Sequence, residues 1–187
     1  MSVRYPVPLR PGDRIAVTSP SSGVRREMWP RLEFCTKHLR ELGYDVVIGD
    51  CMDGSGVTSA PAPARAAELT AMLLDPAIRA VVPPWGGELA IDLLPLLDFE
   101  AISAAQPTWL VGYSDLTTVM VPLTLRIGIA TLHGSNLMEP RARSPSRCCR
   151  GWPRPPRSPE ACCARVTRRR TAAAGTTTTP STRRCRR

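Results

Sequence analysis

Thr108-Trp109-Leu110-Val111-Gly112-Tyr113-Ser114-Asp115-Leu116 is the stretch on which the fold turns. Thr108 to Val111 is a short β-rich run, and Gly112 to Asp115 is a tight corner. Leu116 to Arg126 then resumes at helical spacing, with Pro122 expected to kink or shorten it. A strand that turns straight into a helix is the repeating unit of a parallel α/β sheet. The same unit recurs on both sides. Upstream, Ala80-Val81-Val82-Pro83 reads as a buried strand that runs into Trp85-Gly86-Gly87, and Glu88 to Leu94 is patterned as a helix up to Pro95. Before it, Leu69, Met72 and Leu73 mark a helix that ends at Asp75-Pro76, preceded by a Gly/Pro/Ser-rich loop from Gly49 to Pro63. Tyr44 to Ile48 is a strand. Leu32, Cys35, Leu39 and Leu42 recur at helical spacing, with Gly43 as the stop. Arg14 to Ser19 is the first strand, opened by Pro11-Gly12-Asp13 and closed by the loop Pro20-Ser21-Ser22-Gly23. Downstream, Gly128 to Leu132 is the fifth strand.

There is no internal repeat, and the pattern predicts a flavodoxin-like or Rossmann-like parallel sheet with flanking helices. Right-handed crossovers would gather the loops after Ser19, Pro83 and Val111 on one rim of that sheet, the rim where ligands bind in such folds.

Charge divides the chain near Pro140. Residues 1–140 carry 11 Lys and Arg against 15 Asp and Glu, whereas residues 141–187 carry 14 Arg against Glu160 alone. The overall charge of +9 and the high isoelectric point therefore describe the tail and not the domain. The tail lacks Leu, Ile, Met, Phe, Tyr, Lys, Asp, Asn, Gln and His, and its only large apolar residues are Val166 and Trp152. Such a composition buries too little surface to offset the entropy of ordering. It reads as GC-rich coding sequence translated in a shifted frame from about residues 138–145, or else as a disordered basic tail. Five of the seven cysteines lie there, in Cys-Cys steps without zinc-site spacing. Cys35 and Cys51 are too few for a disulfide framework. No apolar run suits a signal peptide or a membrane span, so the expected setting is the reducing cytoplasm.

Ser114 is the principal candidate for chemistry. A serine between a buried strand and a helix start sits on a sharp turn with its hydroxyl outward, the mechanical logic of a nucleophile elbow, although Gly-Tyr-Ser-Asp is not the G-x-S-x-G pattern. The backbone N–H of Asp115 would then face a developing oxyanion. From spacing alone, Ser114 or Asp115 as a simple helix cap is the favoured reading. Gly86 and Gly87 allow close backbone approach to a ligand, but they are no phosphate loop, and an ordinary tight turn explains them as well.

Taken together, these motifs resemble the LD-carboxypeptidase family of serine peptidases over about residues 7–140. The resemblance rests on Leu9-Arg10-Pro11-Gly12-Asp13 through Ser19-Pro20-Ser21-Ser22 and on Gly86-Gly87 leading into Leu93-Leu94-Pro95-Leu96-Leu97-Asp98-Phe99. It continues through Gly112-Tyr113-Ser114-Asp115-Leu116-Thr117 and Thr131-Leu132-His133-Gly134. Trp85-Gly86-Gly87-Glu88 leans toward the branch containing the microcin C immunity peptidases. The resemblance implies hydrolysis of the L,D-amide of a murein tetrapeptide with release of the terminal D-alanine, or cleavage of a microcin-like aminoacyl-nucleotide.

Ser114 would be the nucleophile, with an oxyanion hole from the backbone of Asp115, Gly86 and Gly87, and no metal or organic cofactor is implied. Family members use a Ser-Glu-His triad whose Glu and His come from a second domain, and the intact enzymes can form homodimers. No residue here matches that Glu or His: the surroundings of Glu160 differ, and the tail has no His. His133 belongs to a structural His-Gly step in the family, although its place after the fifth strand puts it on the rim of Ser114. His38 falls on a helix flank and reads as structural.

The expectation is therefore family membership without turnover by this chain alone, because Ser114 lacks an activating base. Two other readings stand beside it. The chain could bind small peptides at the Gly86-Gly87 rim without cleaving them. More remotely, it could bind nucleic acid through the Arg-rich tail, although aromatics for base stacking are absent there apart from Trp152. No membrane partner is expected.

Overall fold

The computed structural model describes residues 2–139; the Arg-rich tail and the boundary at residue 140 lie outside the described residues. Four parallel strands, β1 (Arg14–Val17), β2 (Asp45–Ile48), β3 (Ile78–Val81) and β4 (Trp109–Gly112), are joined at the edge by a two-residue β5 (Leu132–His133). The order is β2-β1-β3-β4-β5, and every pairing is parallel. Helices α1 (Trp29–Glu41), α2 (Ala62–Leu74), α3 (Phe99–Ala104) and α4 (Thr117–Leu125) form the crossovers.

A parallel sheet needs cover on both faces, and the period of two along each strand sorts the side chains accordingly. Ala16, Val81 and Leu110 face a core built with Leu69 and Leu73 of α2, Phe99 and Ile102 of α3, and Val119, Met120 and Leu123 of α4. Their neighbours Ile15, Val17, Ala80, Val82 and Val111 face the other core, with Leu32, Cys35 and Leu39 of α1. The first crossover winds to one side and the later ones to the other. The strand order therefore reverses between β1 and β3, and the loops after β1, β3 and β4 meet on one rim.

Local signals explain the element ends. Pro30 occupies the first turn of α1, where its missing N–H costs nothing. Gly43, at φ +92°, supplies the left-handed residue just past the end of that helix.

Three elements differ from the sequence pattern. Glu88 to Leu94 is not a full helix but a single turn, Ala90–Leu93, because Pro95 follows too closely for a second. α3 lies where no helix was expected; only six residues long, it leaves no periodic signature and depends on Asp98, whose carboxylate accepts from Ala101 N–H at 2.8 Å. The fifth strand starts at Leu132, not Gly128, because Ile129 is taken by a parallel bridge to Arg4 of the N-terminal segment. The helix after the corner begins at Thr117 and holds Pro122 inside its nine residues.

The rim is tied down from beneath by α2. Arg65, only 2% exposed, donates from Nη1 to the carbonyls of Pro20 (2.6 Å) and Leu89 (3.0 Å) and from Nε to that of Ala60 (2.9 Å). Asp92 lies 3.8 Å from its Nη2. Glu68 accepts from Thr18 Oγ1 and from the N–H groups of Asp50 (2.6 Å) and Cys51 (3.1 Å). Burial and then the Glu68 carboxylate push the Cys51 thiol up to about 11.

Two outcomes are expected. Arg65→Met keeps the apolar stem but leaves three carbonyls without their charged donor, so the urea midpoint should fall by the equivalent of about 3 kcal/mol. The native Cys51 thiol stays protonated at pH 8. Peptide mapping should then show iodoacetamide modifying it far more slowly than free cysteine, with a rate that rises until about pH 11 and is restored at pH 8 by denaturant.

Candidate active site

The end of β4 carries the chain into a corner that few residues adopt. Tyr113 is fully extended (φ −157°, ψ −171°), and Ser114 follows at φ +62°, the one non-glycine residue with positive φ among those described. For a serine this left-handed conformation is costly and persists only when the surroundings enforce it. Two supports lie beneath the corner. Asn136, 5% exposed, accepts from Tyr113 N–H at 3.2 Å through Oδ1. Gly112 leaves the room this needs, since a Cβ there would stand 2.6 Å from Leu116 Cδ1 and 2.8 Å from Asn136 Oδ1.

Ser114 is exposed, and among the described residues its hydroxyl makes no hydrogen bond. The capping alternative is thereby overturned. Neither the turn Ser114–Leu116 nor α4 has a side-chain cap at its N-terminus. Asp115 spends its carboxylate elsewhere, accepting at Oδ2 from Ser21 Oγ (2.6 Å) and Ala90 N–H (2.9 Å).

The Gly86-Gly87 turn after β3 lies directly against this corner. A Cβ on Gly86 would stand 3.3 Å from Asp115 N and 3.4 Å from Ser114 Cβ. One on Gly87 would stand 2.2 Å from Ser21 Oγ and 2.6 Å from Ser22 Oγ, so the loop after β1 closes on the turn from its other side. Ser22 N–H donates to Gly86 O at 3.3 Å. The structure thus brings together Ser114, Asp115, Gly86 and Gly87, the four residues singled out in the sequence. Beyond Gly87 opens a cleft of about 1160 Å³ walled by Arg25, Arg26, Asp53, Val57, Trp85 and Glu88 among others; Ser114 stands beside it and does not line it.

His133 does reach the same rim, in register with Gly112, but its ring packs edge-on against Tyr113 with centroids 6.4 Å apart. Tyr113 in turn donates its hydroxyl to Glu139. His38 lies on α1, 3.7 Å from Glu41. Among the described residues no group of three or more His, Cys, Asp or Glu could hold a metal ion, and no helix is long and apolar enough to cross a membrane.

Residues 15–134 match the model of the LD-carboxypeptidase N-terminal domain. The chain belongs to the LD-carboxypeptidase family. A provisionally named carboxypeptidase of Streptomyces coelicolor is 38% identical over 136 residues, which are 69% of this chain and 42% of that one. The microcin C7 self-immunity protein MccF of Escherichia coli is 29% identical over 132 residues, covering 70% and 38% of the two chains. Among solved structures, an MccF-like protein of Bacillus anthracis superposes with a TM-score of 0.68 at 27% identity, covering 73% of this chain and 41% of that one. MccF in complex with aspartyl sulfamoyl adenosine superposes with a TM-score of 0.67 at 28% identity, with coverages of 71% and 40%. The chain therefore spans about two fifths of the length of these LD-carboxypeptidase relatives.

Ser21 and Asn136, which brace the corner, and Arg65, which fixes the loops beside it, were not evident as site residues. Ser21 alone had a sequence signal, in its place directly after β1.

The two glycines make unequal demands on space. Gly87→Ala should lower stability by about 1–3 kcal/mol in a denaturant titration, because its Cβ meets a buried hydroxyl and the neighbouring loop. Gly86→Ala, whose nearest contact is 3.3 Å, should cost clearly less.

Proposed function

We propose that the described residues are the nucleophile-bearing half of a serine-type amide hydrolase. The observation that carries this reading is the exposed Ser114 at φ +62°, with Gly86 pressed against the backbone nitrogen of the next residue. Ser114 Oγ attacks the scissile carbonyl carbon, and the C=O electron pair moves onto oxygen. The resulting oxyanion is held by Asp115 N–H and by the backbone of the Gly86-Gly87 turn, donors already fixed before the charge appears. Collapse expels the amine and leaves an ester on Ser114, which water then hydrolyses.

The serine proton needs an acceptor. Among the described residues no imidazole or carboxylate bonds to the Ser114 hydroxyl. The proposed base and its orienting acid lie outside residues 2–139, as a Glu and a His of a second domain. On this reading the chain alone turns over no substrate, and residues 141–187 contribute nothing to the reaction. The substrates proposed are small: a murein tetrapeptide losing its terminal D-alanine, in peptidoglycan recycling, or an aminoacyl-nucleotide like the one bound by MccF. The Cys51 thiol is free and buried, which agrees with the proposed reducing cytoplasmic setting.

The test follows release of D-alanine from a murein tetrapeptide and of aspartate from aspartyl sulfamoyl adenosine. No release is expected from the chain alone. Fusion of residues 1–134 to the remaining part of the Streptomyces relative should give release of one product, and Ser114→Ala should lower it by about a thousandfold or more. A folded fusion whose activity survives Ser114→Ala would sink the nucleophile assignment; Ser114-dependent turnover by the chain alone would overturn its inactivity.

A further inference from the structure

The geometry points to a second role for Asp115: its carboxylate, paired with Ser21, is the positioning group that holds the Ser114 corner in register with the Gly86-Gly87 turn. This inference rests on the reading of that corner as a nucleophile and oxyanion site. The backbone of Asp115 would face the oxyanion, whereas its side chain is committed to the rim behind it.

Three loops converge on this carboxylate. Ser21, fully buried in the loop after β1, donates its hydroxyl to Asp115 Oδ2 at 2.6 Å. Ala90, in the turn after β3, donates its N–H to the same oxygen at 2.9 Å. The Ser21 oxygen also accepts from Leu89 N–H at 3.2 Å. Proton directions are therefore fixed. A backbone N–H can only donate, so Ser21 must turn its own hydrogen toward Asp115, and Asp115 must accept twice. An ionised carboxylate suits this role, and such charge-assisted bonds are about twice as strong as neutral ones.

Position makes the arrangement more than a local brace. The Ser21 hydroxyl occupies the space where a Gly87 Cβ would stand, at 2.2 Å, so it is in contact with the turn itself. Leu89 and Ala90 follow that turn immediately. Asp115 thus grips Gly86-Gly87 from both ends, through Ser21 at its back and Ala90 at its exit, while its own backbone nitrogen faces Gly86. Arg65 fixes the same two loops through Pro20 O and Leu89 O, but it touches no part of the Ser114 corner. Among the described residues, the Asp115 carboxylate is the one side-chain group that hydrogen-bonds from the corner after β4 to both of the other loops.

The test has two readouts. The first, on the full chain uniformly labelled with nitrogen-15, is amide hydrogen exchange at Leu89 and Ala90, with Val17 and Val81 in the strands as internal references. Asp115→Ala should accelerate exchange at Leu89 and Ala90 by about tenfold or more while the strand amides keep their protection, a local opening without global unfolding. Asp115→Asn retains an oxygen acceptor in the same place and should restore protection to within about twofold. Ser21→Ala should loosen Leu89 and leave Ala90 bonded to Asp115, which keeps the inference testable if Asp115→Ala fails to fold.

The second readout is the rate at which a fluorophosphonate labels Ser114 in the folded fusion of residues 1–134 to the remaining part of the Streptomyces relative, where the proposed base is present, with Ser114→Ala as the blank. Asp115→Ala should slow labelling by about tenfold or more, and Asp115→Asn should rescue it, as expected when preorganised donors are lost and regained. Unchanged exchange at Leu89 and Ala90 in Asp115→Ala, or no rescue by Asp115→Asn, would overturn the inference. If Ser114 of the folded fusion takes no label at all, the nucleophile reading fails, and the exchange data still decide the positioning role independently.

Discussion

A left-handed serine at the end of a buried strand needs neighbours that leave it no alternative, and much of the rim can be understood as supplying them. Strand β4 enters the corner from below, fixed on both sides by parallel pairing. Asn136 holds the backbone nitrogen before Ser114, and the carboxylate of Asp115 holds the residue after it. An unfavourable φ at one residue costs on the order of 1–3 kcal/mol. Two or three hydrogen bonds to buried or charged partners are of a size to offset it. Ser114 itself remains exposed, and no described residue bonds to its hydroxyl.

This constraint also explains the glycines. A turn able to lie within van der Waals reach of Ser114 on one side and of Ser21 on the other has no room for a side chain at Gly87 and little at Gly86. The two glycines after β3 and the serine after β4 are therefore one feature, although 27 positions separate Gly87 from Ser114. Parallel topology makes the meeting possible: β3 and β4 are adjacent, and their C-terminal ends share a rim.

Much of this was legible in the sequence because it depends on local chemistry. A β-rich run that breaks at Gly-Tyr-Ser-Asp and resumes as a helix marks the corner, and adjacent glycines after a strand mark close approach. Four of the five strands could be placed to within two or three residues for the same reason. The rest depends on contacts between distant segments, which leave no pattern. Nothing around Arg65 in the sequence tells that its guanidinium is buried among carbonyls 24 and 45 positions away. The fifth strand shifted because the N-terminal segment competes for Ile129. Asp115 is the instructive case: its position next to a helix start suggested a cap, and only the fold shows that its oxygen is taken by Ser21, 94 positions earlier.

The polar groups of the rim divide by what they lack. Ser21, Arg65 and Asp115 are satisfied by backbone and side-chain partners within the described residues, as buried polar groups must be. Ser114 is not, and an alcohol of ordinary acidity gains nucleophilic strength only from a base within hydrogen-bond reach. His133 is the one imidazole on this rim, and it is engaged edge-on with Tyr113, whose hydroxyl is given to Glu139. On the proposed reading, the described residues hold the parts of an acyl-transfer site that need rigidity, the corner and its facing amides, and the part that needs a tunable pKa comes from elsewhere. Geometry of this kind is set by one sheet and its rim loops. A proton acceptor can be supplied from any element that closes over them, and the proposed division of labour between two domains of the family follows from that difference.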